Sequence, residues 1–209
     1  EVSPGNVDLL EDESLTITAR WLGGGRTPDL EVAIHLPDGS SYSEPMRPSD
    51  DGQVFHLGKL DQSFRYEVRS GRITSDRYSV NLRPIPRLID PRALLEYPAY
   101  TKWSPGNVSL GGNTPEATTA VSAIANTRFQ LSGKLNPPVE SARLEIDGQP
   151  VPDIHIERSA DGGRVTASWT RTEPGTAEAR LILQHPLGRQ FDALNFIVET
   201  RPDEAPQIR

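Results

Sequence analysis

Three aromatic residues stand three apart in the stretch Tyr97-Pro-Ala-Tyr100-Thr-Lys-Trp103. On a polyproline-like strand, with three residues per turn, they would share one face, and such a platform could stack on a sugar ring or grip a protein partner. The competing arrangement packs them into the core of a second domain or into a junction between domains, where large aromatics usually go. Tyr97, Tyr100 and Trp103 are therefore the candidate ligand-binding residues. The four histidines, His35, His56, His155 and His185, are isolated from one another and from acidic pairs at ligand spacing. A metal centre or an activated nucleophile needs two or three convergent groups, so no catalytic or metal-ligating residue is assigned. Gly23-Gly24-Gly25 lacks the Lys-Ser/Thr of a phosphate loop and leads into no helix pattern; it reads as a flexible turn. Oxygen ligands for calcium would have to come from Asp90, Asp203, Glu204 or the Asp50-Asp51 turn, none of which carries the dense alternating carboxylates such sites use. No cofactor is expected.

The charge balance narrows the partners. The 209 residues carry 22 Lys and Arg against 29 Asp and Glu, a net charge of −7, with the basic residues scattered singly. Phosphate backbones demand a basic footprint, so nucleic acid is excluded as a partner. No run of apolar residues is long enough to cross a membrane as a helix, and no charged-then-apolar leader opens the chain. The absence of cysteine rules out disulfides and thiolate metal sites and fits an oxidising compartment. A start at Glu1 rather than Met leads to the expectation of a slice from a longer protein.

The elements that must position these residues read as strands. Leu15, Ile17, Ala19 and Trp21 alternate with polar residues, as do Phe64, Tyr66 and Val68, and Tyr78, Val80 and Leu82, while Leu30, Val32, Ile34 and Leu36 alternate with Glu31, Ala33 and His35. The pattern returns at Phe129 and Leu131, Leu144 and Ile146, Ile154 and Ile156, Val165, Ala167 and Trp169, Ala179, Leu181 and Leu183, and Phe196 and Val198. Period-two alternation describes strands with one buried face. Turn signals separate them: Pro37-Asp38-Gly39, Asp51-Gly52, Ser70-Gly71, Asp147-Gly148 and Asp161-Gly162-Gly163. With 19 prolines and 17 glycines and no long amphipathic helix, the fold class is all-β, built as antiparallel sandwiches. Pro115–Ala125 has helix-compatible composition but is rich in Thr and Val, and is not assigned as a helix.

The pentapeptide Ser-Pro-Gly-Asn-Val occurs at 3–7 and at 104–108, but a shift that superposes the copies misaligns the strands after them. A shift of 114 succeeds, pairing Val7 with Val121, Leu10 with Ile124, Leu15 with Phe129, Ile17 with Leu131, Ala19 with Gly133 and Trp21 with Leu135. Val32 and Ile34 fall near Leu144 and Ile146, each pair followed by an Asp-Gly turn, and Leu82-Arg83-Pro84 parallels Thr200-Arg201-Pro202. The repeat predicts two sandwich domains, 1–86 and 87–202, joined by a stiff Arg83-Pro84-Ile85-Pro86 segment, with 203–209 opening a linker to a further domain. The second domain carries an extra stretch before its repeat begins, predicted as a first strand around Ala93–Thr101 and a polar, mobile loop over Ser104–Ala120.

Leu60-Asp-Gln-Ser-Phe-Arg-Tyr66-Glu-Val resembles the tyrosine-corner segment of immunoglobulin-like and fibronectin type III domains. There a Tyr at the start of strand F closes the corner by bonding its hydroxyl to backbone upstream; the second domain has the turn, Pro174–Ala179, but no Tyr. The order of segments Tyr66-Glu-Val-Arg, Ser75-Asp-Arg-Tyr78-Ser-Val, Tyr97-Pro-Ala-Tyr-Thr101, Ser141-Ala-Arg-Leu144 and Arg201-Pro-Asp-Glu-Ala-Pro206 is similar to tandem immunoglobulin-like repeats of large, membrane-anchored bacterial proteins of unknown function. The resemblance implies an extracytoplasmic location and a spacer or adhesive role, and it brings no binding residues.

Two functions follow as expectations. The first is a non-enzymatic pair of immunoglobulin-like modules, spacing domains or binding a protein partner or neighbouring domains of its own parent, without inserting into a membrane. The alternative is a carbohydrate-binding accessory module whose polysaccharide stacks on Tyr97, Tyr100 and Trp103. Two thin sandwiches offer no obvious cleft for paired catalytic carboxylates.

Overall fold

A computed structural model of the chain describes residues 1–24, 27–111, 119–159 and 162–203. The chain divides into two units, Glu1–Ile85 and Pro86–Arg209, each built of strands around its own apolar core.

Unit 1 contains β1 (Val2–Ser3), β2 (Val7–Leu10), β3 (Leu15–Ala19), β4 (Glu31–His35), β5 (Ser41–Pro45), β6 (Arg47–Ser49), β7 (Gly52–Leu57), β8 (Phe64–Ser70), β9 (Ile73–Thr74) and β10 (Tyr78–Arg83). One sheet runs β1-β3-β7-β6, and the facing sheet β2-β10-β8-β4-β5 with β9 hanging from β8. All pairings are antiparallel except β2 with β10. Splitting the first strand between the sheets, so that its second half runs parallel to the last, is an immunoglobulin-like arrangement. The alternating residues of the sequence form the core: Ile17, Val32, Ile34, Tyr66 and Val80 are all buried. Ala33 breaks the rule. It lies on the outer side of its sheet yet is buried, as is its cross-strand partner Glu67.

The break between β1 and β2 falls in the first Ser-Pro-Gly-Asn-Val copy, where Gly5 takes φ of +77°, a conformation that costs glycine nothing and a side-chain-bearing residue much more. The Tyr66 hydroxyl does bond backbone upstream, but in the first strand rather than at the β7–β8 turn: it donates to the Gly5 carbonyl at 3.2 Å and accepts from the Gly5 amide at 3.1 Å. Tyr66 is an inward-facing residue within β8, so its ring crosses the core, past Tyr78 at 5.4 Å, and its tip reaches the one place where the first strand has left its ladder.

Unit 2 contains β11 (Arg87–Glu96), β12 (Gly106–Ser109), β13 (Thr119–Ile124), β14 (Thr127–Asn136), β15 (Ser141–Ile146), β16 (Gln149–Pro150), β17 (Ile154–Ser159), β18 (Gly162–Arg171), β19 (Gly175–Gln184) and β20 (Gln190–Arg201). Its sheets run β12-β11-β14-β18-β17 and β13-β20-β19-β15-β16, again with one parallel pair, β13 with β20. The repeat holds at the level of strand register and single hydrogen bonds, with a shift of 114 residues in the first strand and 118 in the last. Val7 pairs with Val80 as Val121 pairs with Val198. The Glu11 amide donates to the Arg83 carbonyl as the Ala125 amide donates to the Arg201 carbonyl. Asp12 and Asn126 both turn the chain at positive φ, +67° and +65°. The two pentapeptide copies are not equivalent: one spans β1 to β2, the other enters β12.

The added stretch of unit 2 differs from expectation in two ways. The first strand is β11, ending at Glu96, and Ala99–Thr101 is a 3₁₀ turn rather than strand. Part of the expected polar loop is the strand β12, which pairs antiparallel along β11 and sends Leu110 into the core. Thr119 and Ala120 of that loop open β13, and 112–118 lie outside the described residues, as do Gly25 of the glycine-rich turn and 204–209 of the expected linker.

Candidate functional site

The stretch Tyr97–Trp103 links β11 to β12, so the aromatic residues ride on the tip of a hairpin that extends one sheet edge of unit 2. They do not share a polyproline-like face. Pro98 is extended (φ −53°, ψ 138°), but the 3₁₀ turn follows at once, and Lys102 ends it in the left-handed region (φ 55°), its amide donating to the Ala99 carbonyl. The physical reason is the short span: the chain must reverse between two paired strands, and a continuous three-residue helix cannot reverse.

The three rings have separate fates. Tyr97 is half-buried and packs against the core; Gly106 beside it lacks the Cβ that would press on the Tyr97 hydroxyl at 3.1 Å. Trp103 is 58% exposed and stands edge-on to Tyr97, with ring centroids 5.2 Å apart and planes at 82°. Edge-to-face pairs of this kind contribute about 0.5–1.5 kcal/mol beyond area burial. Tyr100 is 60% exposed, and its hydroxyl donates to the carboxylate of Asp203, just past β20. That hydrogen bond foremost, with desolvation and then the nearby negative charge adding to it, raises the Tyr100 hydroxyl above its ordinary pKa. The tip thus offers two exposed rings, each held by a specific partner.

A second polar cluster, which sequence spacing did not single out, lies on the outer face of the β12-β11-β14-β18-β17 sheet. A groove of about 460 Å³ holds Arg128, Gln130, Asp153, His155 and Ser168. Asp153 accepts from Ser168 Oγ at 2.5 Å and is bonded to His155 Nε2 at 2.8 Å. Those bonds, the Ser168 one foremost, hold its carboxyl below the ordinary carboxylate value. The residue types are those of a hydrolytic triad, but the order is wrong: serine and histidine both lie on the aspartate, so the imidazole is not placed to take the serine's proton. The signal that could have found it is the 153/155 same-face spacing, which gains meaning only once β17 is registered on β18.

The other histidines stay apart: His35 near Glu67, His56 bonded to Thr16 at 3.0 Å, and His185 accepting from the Leu187 amide at 3.1 Å. Among the described residues no three His, Asp or Glu side chains gather as metal ligands; Glu204 lies outside them. Among the same residues no helix is long and apolar enough to cross a membrane, which leaves spanning by strands unaddressed.

No family model matches the sequence, and a search of curated proteins returns no match. Solved structures do resemble it. Fibronectin(III)-like modules of Clostridium thermocellum CbhA align over 100% of both chains at 13% identity and TM-score 0.38. The two-domain structure Rst D1-D2 aligns over 97% of this chain and 99% of its own at 10% identity and TM-score 0.47. The extracellular portion of mouse CD200RLa covers 94% of this chain and 100% of its own at 10% identity and TM-score 0.37. The chain is a tandem pair of immunoglobulin-like β-sandwiches, as its strand order specifies.

Proposed function

We propose that this chain is a non-enzymatic module pair, domains 1–86 and 87–202 with 203–209 opening a linker, in an extracytoplasmic, membrane-anchored parent. It serves as spacer and protein-interaction segment, and the contact is made by Tyr100 and Trp103 at the β11–β12 tip. The observation that carries this reading is that both rings are exposed yet braced, by Asp203 and by Tyr97. Rings fixed before binding lose little conformational freedom on contact, which is why rigid aromatics make effective interface anchors. The lack of cysteine suits an oxidising compartment, and two prolines restrict the segment 84–86 between the modules.

Site-specific photocrosslinking tests it. A benzoylphenylalanine at position 100, in cells making the protein, is expected to yield one discrete protein adduct that is absent when the probe replaces exposed Tyr42. No adduct at 100, or equal adducts at both, contradicts the reading. The half-free Trp103 ring favours a second reading, saccharide stacking. Titrating tryptophan fluorescence with soluble glucans and xylan distinguishes the two: a saturating change lost in Trp103→Ala supports saccharide, and no change supports protein.

A further inference from the structure

The outer face of the β2-β10-β8-β4-β5 sheet carries a row of side chains directly opposite one another across three strands: His35 on β4, Arg65 on β8 and Ser79 on β10. Residues paired in this way stand about 4.5–5.5 Å apart at Cβ, which makes their side chains neighbours on that face. The adjoining row is Ala33, Glu67 and, just before β10, Arg77. Glu67 is the hub. Its Oε1 accepts from Arg69 and its Oε2 from Arg77 Nε at 3.1 Å, which commits both oxygens. His35 Nε2 lies 3.6 Å from Oε1 and has no hydrogen-bond partner. Arg65 is exposed, and its guanidinium has no ion-pair partner among the described residues. One buried carboxylate therefore serves two arginines, and a third stands unserved beside a histidine, in a molecule whose net charge is −7.

These groups line a groove of about 440 Å³ that includes His35, Arg65, Arg77 and Ser79. We propose that this groove binds a single carboxylate presented by an otherwise neutral segment of a protein partner, with the Arg65 guanidinium as the main donor and Arg77 and the Ser79 hydroxyl beside it. A guanidinium fork matches a planar carboxylate in two parallel hydrogen bonds. The flanks limit the charge the site accepts. Asp8 borders it on one side, bonded to Asn81 at 2.9 Å, and Glu31 lies opposite Arg69 on the other. An extended polyanion would meet both acids, whereas one carboxylate between neutral neighbours meets neither. The site belongs to unit 1 and the aromatic tip to unit 2, and the two rest on different residues, so either proposal can fail without the other.

The test is an amide chemical-shift titration of the full chain with acetyl-Gly-Ser-Glu-Ser-Gly-amide and its Gln counterpart. The Glu peptide is expected to give saturating shifts at residues 35, 65, 77 and 79, and the Gln peptide none. Arg65→Gln is expected to weaken binding about fivefold or more, roughly the loss of one charged hydrogen-bond pair. Lys134→Gln, which changes net charge equally but lies on unit 2, leaves it unchanged. Absence of shifts at about 20 mM peptide, weaker than any useful contact, overturns the proposal. So does an equal response to the Gln peptide, or equal loss in both variants. A sulfated oligosaccharide shifting the same amides more strongly than the Glu peptide overturns the assignment to a protein partner.

Discussion

Tyr66 fastens two parts of unit 1 that are 61 residues apart, because its buried hydroxyl both donates to and accepts from the Gly5 peptide unit. Tyr66→Phe keeps the ring and its packing on Tyr78 but leaves a buried amide and carbonyl unpaired, so it is expected to lower unfolding stability by about 1–3 kcal/mol, measured by urea denaturation. An unchanged midpoint would mean that water reaches Gly5. The burial of Tyr66 was legible from its place in the Phe64-Tyr66-Val68 alternation. Its partner was not, because a hydroxyl's reach across a core depends on where another strand breaks off. The aromatic triplet teaches the complementary lesson. Its residues were identifiable by type, but their separate fates depend on a 3₁₀ turn and on Asp203, which sits 103 residues after Tyr100.

Among elements, β8 concentrates the electrostatics of unit 1. Burial alone would raise the Glu67 carboxyl, but the hydrogen bonds from Arg69 and Arg77 outweigh it and hold the group below its ordinary value. A carboxyl lowered on folding adds stability above its unfolded range, and that stability drains away as pH falls through the folded value. Wild-type protein is therefore expected to lose more stability between pH 7 and pH 3 than Glu67→Gln, which has no such proton to take up. Equal losses in paired urea titrations would contradict this. The strands themselves were largely readable, since alternation marks any strand with one buried face. β12 was not: Gly106-Asn-Val-Ser109 offers one apolar residue, and an edge strand needs little more than a neighbour's free backbone groups to pair with. The Ser168-Asp153-His155 cluster was hidden for a similar reason, as Asp153 lies just before β17, His155 within it and Ser168 on β18, and they meet only in register.

Across the whole molecule, the duplication was readable because it is carried by core-packing positions, Val7 and Val121, Leu15 and Phe129, Ile17 and Leu131, that the same architecture requires twice. Each unit has its own cluster, centred on Ile17, Ile34 and Tyr66 in one and on Phe129, Leu144 and Phe196 in the other, where Trp169 stacks on Phe129 at 5.3 Å. A core complete within one unit needs nothing from its neighbour to hold it together. The direct test is to produce 1–86 and 87–209 as separate chains and follow urea unfolding by circular dichroism. Two self-sufficient sandwiches predict a β spectrum and one cooperative transition from each piece. A piece that is unfolded in buffer, or that loses structure gradually without a transition, would contradict them.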